Sequence, residues 1–266
     1  MSSLLPRIDL FEFHDTRWVP ALLRRSVVDA LGLTTDWGRL LSGLIQPLEQ
    51  FLERTHATTL LELCSGSGRM AALLAAEMRQ RGAAPARIIL SDKAPRPVDW
   101  RRLSESNDAL AYVSDPVDAT RVSTVESTHP RLIANALHHF PPPLARAVLR
   151  DAVQRTPGIF VCENFPRNPL ATLGPGLPGA IAVLGAPLAL PEGRLWRGLL
   201  TWLLPVIPLM FFWDGLASSL RVYTEVEIRD MLDGLDCELT FGRFPLPYFG
   251  RGTYFQAINR TWNPTS

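Results

Sequence analysis

The sequence predicts an α/β fold: a seven-stranded, mostly parallel sheet with helices on both faces. N-terminal helices precede it, and a helical apolar insertion follows the fifth strand. Three observations carry this expectation. From Thr58 to Asn164, short apolar runs alternate with helical stretches, the pattern of βαβ units. The first 56 residues instead carry apolar residues at helical spacing. Residues 165–223 break the alternation, with eight prolines and seven glycines among apolar side chains. The 266-residue chain is 47% hydrophobic and 20% charged, so a sizeable core can be buried.

The elements follow in order. Trp18 to Leu31 reads as an irregular helix. Trp37, Leu40, Leu41, Leu44, Ile45, Leu48, Phe51 and Leu52 then line one face of a second helix, with Asp36 as its expected N-cap. Strands are expected at Thr59–Leu63, Arg87–Ser91, Leu110–Val113, Leu132–Ala136 and Gly158–Cys162. A helix over Arg69–Arg81 closes at Gly82. Another enters through Pro141–Pro143, where the missing amide of proline suits a first turn. Thr224 and Glu227 form a capping box for a helix to about Leu235, and Cys237–Phe241 and Thr253–Ile258 close the sheet. The implied division is an N-terminal helical cap (1–56), a core (57–164), the apolar insertion (165–223), and the last helix and closing strands (224–266).

Composition excludes several classes. A net charge of +1 argues against a polyanion-binding protein, so no nucleic-acid partner is expected. Lys93 is the one lysine among 27 basic residues, a bias typical of a GC-rich, bacterial genome. Cys64, Cys162 and Cys237 are odd in number and far apart, which fits a reducing cytoplasm rather than a disulfide framework. Asp9, Glu12 and Asp15 interrupt the start, so no secretory signal is expected. Gly198–Trp213 is uncharged but spans 16 residues with two prolines, short of the ~20 needed to cross a bilayer. It reads as buried or interfacial.

The chemistry-bearing motif lies between the first core strand and its helix: Glu62–Leu63–Cys64–Ser65–Gly66–Ser67–Gly68. Glycines there let the chain turn sharply and let a ligand approach bare amides at a helix N-terminus. Gly66-x-Gly68-x-x-Ala71 also fits the dinucleotide fingerprint. The second strand ends in Ser91–Asp92–Lys93, and a carboxylate there offers two acceptors to a vicinal diol. Asp118–Ala119 follows the third strand, and the fourth ends Asn135–Ala136–Leu137–His138–His139–Phe140. Taken together, residues 58–164 resemble the class I S-adenosylmethionine-dependent methyltransferases, with Cys64 where a glycine is usual.

The resemblance implies a Rossmann-like sheet with S-adenosylmethionine (SAM) as cofactor. Glu62 would lie near the methionine moiety, Cys64, Ser65, Gly66 and Gly68 along its turn, and Asp92 and Lys93 at the ribose. Asp118 and Ala119 would lie near the adenine, with Asn135 also at the cofactor. Methyl transfer to a small lipophilic molecule is implied, O-methylation being favoured. Catalytic candidates are His138, His139 and Glu163, beyond the strands' carboxyl ends where open sheets bind ligands. Neighbours on a strand alternate, so one of the two histidines is expected to face substrate.

Substrate-contact candidates are His14, Trp18, Trp213, Arg221 and Tyr223. Asp214 and Arg221 are expected to pair with each other, and Asp15 or Thr16 to cap a helix. No His/Cys/Asp cluster has metal-ligand spacing, so no metal is expected. The insertion reads first as a hydrophobic lid, with a homodimer interface or peripheral membrane contact as competing readings. Two functional alternatives stand. One is an NAD-dependent oxidoreductase, the other a non-catalytic, SAM-binding or membrane-docked partner subunit.

Overall fold

A computed structural model describes residues 5–82, 86–123, 128–168, 170, 173–247 and 250–262. Seven strands form one sheet: β1 (Thr59–Glu62), β2 (Arg87–Leu90), β3 (Leu110–Tyr112), β4 (Arg131–Ala134), β5 (Gly158–Glu163), β6 (Cys237–Pro245) and β7 (Arg251–Asn259). Their order is β3-β2-β1-β4-β5-β7-β6. The first five run parallel; β7 lies antiparallel between β5 and β6. β4 and β5 are buried along their whole length, as parallel strands covered on both faces must be.

Nine α-helices occur among the described residues: α1 (Ala21–Trp37), α2 (Ile45–Arg54), α3 (Arg69–Arg81), α4 (Pro97–Ser106), α5 (Pro142–Arg155), α6 (Leu173–Ala189), α7 (Arg194–Gly198), α8 (Val206–Arg221) and α9 (Glu225–Met231). Two cores flank the sheet. One joins Leu48 and Phe51 of α2, Leu74 and Met78 of α3, and Trp100 of α4 to Leu60, Ile88 and Phe160. The other packs Val148 and Leu149 of α5 and Ile228 of α9 on Leu61, Ile133 and Val161. The capping box at Thr224 forms: its hydroxyl accepts from the Glu227 amide, and the Glu227 carboxylate accepts from the Thr224 amide.

Several boundaries differ from the sequence reading. The helix expected to begin after Asp36 does not; α1 runs on to Trp37, so Asp36 lies in its last turn and pairs with Arg69. The chain then turns through Gly38 and Arg39 (φ 45°) before α2. Arg39 is held there by a two-pronged bond to Glu77, each arm 2.9 Å. Neither Asp15 nor Thr16 caps α1, which starts after Pro20 without a side-chain cap. α4 was not expected, because Trp100 is its one buried residue and leaves no apolar stripe. α9 stops at Met231 rather than near Leu235.

α1, α6 and α8 pack on one another around Val27, Ala30, Val183, Ile207 and Phe211. The uncharged run 198–213 is divided. Ile207, Met210 and Phe211 are buried, whereas Trp202, Leu203, Leu204, Leu209 and Phe212 face solvent, with Leu195 and Trp196 beside them. Among the described residues no single helix is long and apolar enough to cross a membrane, and α7 with its π-helical extension meets α8 at a 76° bend.

Candidate functional site

The turn from β1 into α3 builds the first half of the site. Cys64 (φ 60°), Gly66 (φ 53°) and Gly68 (φ 80°) all occupy the left-handed region, which reverses the chain within five residues. The two glycines differ. A Cβ at Gly68 would lie 2.9 Å from Leu90 and Leu103 and 3.1 Å from Trp100, so this glycine permits packing. A Cβ at Gly66 would meet nothing within 4 Å: its Cα faces open space. Trp100 Nε1 donates to the Gly66 carbonyl (3.1 Å) and fixes the turn from below.

Asp92 ties β2 to this turn. Its Oδ2 accepts from the Gly66 amide (2.9 Å) and its Oδ1 from the Ala94 amide (2.8 Å). The Ser65 hydroxyl donates to the Glu62 carbonyl (3.2 Å) and accepts from the Ser91 amide (3.1 Å), so Ser65 joins the two strand ends. Glu62 is buried, and its Oε2 has no hydrogen-bond partner. Burial pushes its carboxyl up to about 7; the Ser65 hydroxyl opposes this and the charge of Asp92 reinforces it. Burial likewise pushes the Cys64 thiol up to about 12, which keeps it protonated and unreactive. Further along, Lys93 Nζ pairs with exposed Asp118 Oδ2 at 3.0 Å, and Ala119 is buried beside them.

The second half gathers at the end of β4. That strand stops at Ala134. Asn135 takes a left-handed backbone (φ 52°), and its Oδ1 accepts from the Asn164 amide (2.7 Å), locking the ends of β4 and β5 together. Leu137–His139 then form one 3-10 turn. Strand alternation therefore does not separate the two histidines: their rings lie 4.2 Å apart, centroid to centroid. His138 is buried. Its Nδ1 lies 2.8 Å from Glu163 Oε2, and its amide donates to Glu163 Oε1 (3.2 Å). Glu163 is buried too, and each of its oxygens contacts His138.

An N-terminal strap covers this end. Ile8 donates to the Leu220 carbonyl (3.1 Å). Arg7 donates to the carbonyls of His138 (3.1 Å), Phe140 (3.2 Å) and Arg221 (3.0 Å), and lies over the Tyr223 ring at 5.0 Å. Tyr223 in turn donates to the Phe140 carbonyl (2.6 Å), so its hydroxyl is committed to the scaffold. Phe11, Phe13, Trp18 and Trp213 form an aromatic cluster in which Trp18 is 73% exposed. Trp213 Nε1 donates to the Phe11 carbonyl (3.0 Å).

Asp214 and Arg221 do not pair with each other. They stand at opposite ends of half a helix and bind different parts of the strap. Asp214 accepts from the amides of Phe13 (2.7 Å) and His14 (3.1 Å) and from His14 Nδ1 (2.8 Å). Arg221 bridges Asp9 (2.9 Å) and Glu12 (3.2 Å) and donates to the Leu10 carbonyl (2.6 Å). Burial disfavours protonated His14, but the Asp214 hydrogen bond and the charges of Asp15 and Glu12 outweigh it and raise its pKa. His139 Nδ1 stands 3.3 Å from both Glu12 and Asp15. Glu12 was not among the expected site residues; a lone acid before an aromatic run carries no motif.

No family model and no curated protein matches this sequence. Solved structures do match in fold. The plantazolicin methyltransferase BpumL, in complex with SAH (S-adenosylhomocysteine), is similar with a TM-score of 0.54 at 9% identity, over 93% of this chain and 94% of that one. The mitomycin 7-O-methyltransferase MmcR gives 0.52 at 13% identity, over 93% and 61%. The pyocyanin biosynthetic protein PhzM gives 0.50 at 14% identity, over 85% and 56%. The chain has the Rossmann-like fold of the class I SAM-dependent methyltransferases.

Proposed function

We propose that the protein is a SAM-dependent methyltransferase acting on a hydroxyl of a small lipophilic molecule. The observation that carries the reading is the β1–α3 turn: Gly66 has an open face, its amide is bonded by the Asp92 carboxylate, and buried Glu62 at the same strand end has an unpartnered Oε2. An orphaned buried carboxylate oxygen beside a bare backbone suits a ligand that brings its own cation and diol. The strand order supports the reading against an NAD-dependent oxidoreductase. Dinucleotide-binding sheets run 3-2-1-4-5-6, whereas here an antiparallel strand separates the fifth from the sixth.

Glu62 would hold the methionine ammonium, Asp92 the ribose hydroxyls, and Asp118 with Ala119 would border the adenine. Lys93, paired with Asp118, would sit at the rim. SAM supplies an electrophilic methyl group on a positive sulfonium, so the protein's work is to position the acceptor and exclude water. Glu163 orients His138 through Nδ1. With the Nδ1 proton directed at that carboxylate, Nε2 is left as the acceptor for a hydroxyl proton. Segment 165–223 with α1 would form the apolar lid, and the Phe11–Phe13–Trp18–Trp213 cluster would meet the substrate.

The test is calorimetric binding of SAM, SAH and NAD, followed by turnover with lipophilic phenols and alcohols. Tight SAH binding without NAD binding is expected; NAD binding alone overturns the assignment. Once a substrate is found, His138→Ala should lower kcat by on the order of 100-fold or more. Glu163→Gln keeps an acceptor and should cost less. Equal kcat in all three proteins would remove His138 from the chemistry.

A further inference from the structure

Four side chains that methyl transfer does not use meet under the strap. We propose that Glu12, His14, Asp15 and His139 form a tetrahedral site for a divalent transition-metal cation, best Zn2+. In this proposal the metal clamps the strap onto the carboxyl end of β4. One ligand atom from each residue lies within 4.8 Å of all the others. His139 Nδ1 is 3.3 Å from Glu12 Oε2 and 3.3 Å from Asp15 Oδ2. His14 Nε2 is 3.5 Å from Asp15 Oδ1 and 3.9 Å from Glu12 Oε2. Zinc bonds of about 2.0–2.1 Å put tetrahedral ligands about 3.3–3.4 Å apart. His139 already stands at that separation from both carboxylates, His14 stands about 0.1–0.6 Å beyond it, and the remaining pairs lie within 4.8 Å, so small side-chain shifts would close the site.

Two further observations point to a cation. Asp214, 1% exposed, binds His14 Nδ1, which leaves Nε2 with its lone pair toward the cluster. A carboxylate orienting the outer nitrogen of an imidazole is the usual outer shell of a metal-bound histidine. Glu12 is the second. Its Oε1 accepts from Ser218, while its fully buried Oε2 makes no hydrogen bond, faces both imidazoles and stands 3.2 Å from Arg221 Nη1, which would remain as its charge partner outside the metal. Around the cluster stand four carboxylates (Asp9, Glu12, Asp15, Asp214) against one guanidinium, Arg221, so a divalent cation is electrostatically favoured. Two nitrogens and two oxygens suit zinc rather than calcium or magnesium, which take oxygen shells. Four protein ligands leave no open position, which makes the site structural.

The experiment uses the full chain, stripped with chelator and free of SAM and SAH. Its outcome is therefore independent of the methyl-transfer reading. Zn2+ and Co2+ are titrated against a competing chelator, with visible spectra for Co2+, thermal unfolding and limited proteolysis. One equivalent of metal, the intense d–d bands of tetrahedral cobalt, a higher Tm and protection of the strap from protease are expected. Asp15→Asn and His139→Ala alter exposed side chains, and each should weaken binding by about 100-fold; Asp214→Asn should weaken it about 10–100-fold. His56→Ala, on a distant exposed residue, should change nothing. The proposal fails if wild type takes up no stoichiometric metal, or if the Asp15→Asn/His139→Ala double variant binds as well as wild type. It also fails if cobalt gives an octahedral spectrum, or if the strap is cut equally fast with metal bound.

Discussion

The two ends of the candidate site are built differently. At the β1–α3 turn, the polar groups come from residues 62–68 and 91–94 with Trp100 beneath them, and the backbone does most of the bonding. Under the strap, the polar groups come from the 9–15 segment, the turn after β4, the end of β5 and the C-terminal half of α8. A local site survives as long as its turn does. A site gathered from four places depends on each of them being docked.

The sharpest test of that contrast removes one partner from each end. Glu163→Ala leaves buried His138 without its acceptor and should cost about 3 kcal/mol in denaturant unfolding. A cost near zero would mean that the β4 turn holds itself. Glu62 offers a pH version at the other end. Its folded pKa of about 7 lies above the ordinary value of 4.5. The folded state therefore gains stability from the bound proton below pH 4.5 and loses it as pH rises through about 7. That loss amounts to roughly 3 kcal/mol. Glu62→Gln abolishes this titration, so its stability relative to wild type should climb between pH 4.5 and 7; parallel pH curves would refute the account.

The glycines separate packing from binding within one turn. Gly68→Ala forces a methyl against Leu90, Leu103 and Trp100 and should cost about 2 kcal/mol or more. Gly66→Ala meets nothing and should cost about 1 kcal/mol of backbone strain, yet weaken SAH binding at least as much as it destabilises. Unfolding and calorimetry on both variants decide whether the open face is the ligand face. The smallest effect is expected at Arg7→Met, about 1 kcal/mol, with faster proteolysis of the strap.

The same contrast decides what could be read from the chain. The seven strands and the glycine turn were legible because their signals are local: alternation, apolar runs and a fixed spacing from Glu62 to Gly68. α4 was not, since a helix that buries Trp100 alone has no stripe to see. The two histidines were placed correctly after β4 but on the wrong geometry, because Asn135 leaves the strand early and a 3-10 turn aligns their rings. The partners of Asp214 and Arg221 were illegible for a different reason. Each charge sits seven residues from the other on α8, and both look inward to a strap more than two hundred residues earlier.

That strap has a temporal consequence. Arg7, Ile8, Glu12 and His14 leave the ribosome before any of their partners at 138–140 and 214–221 exist. The segment must wait, unpaired, through synthesis of the whole parallel sheet and of α8. It is thus made well before the elements that secure it, and closing so long a loop makes its docking a late event in maturation.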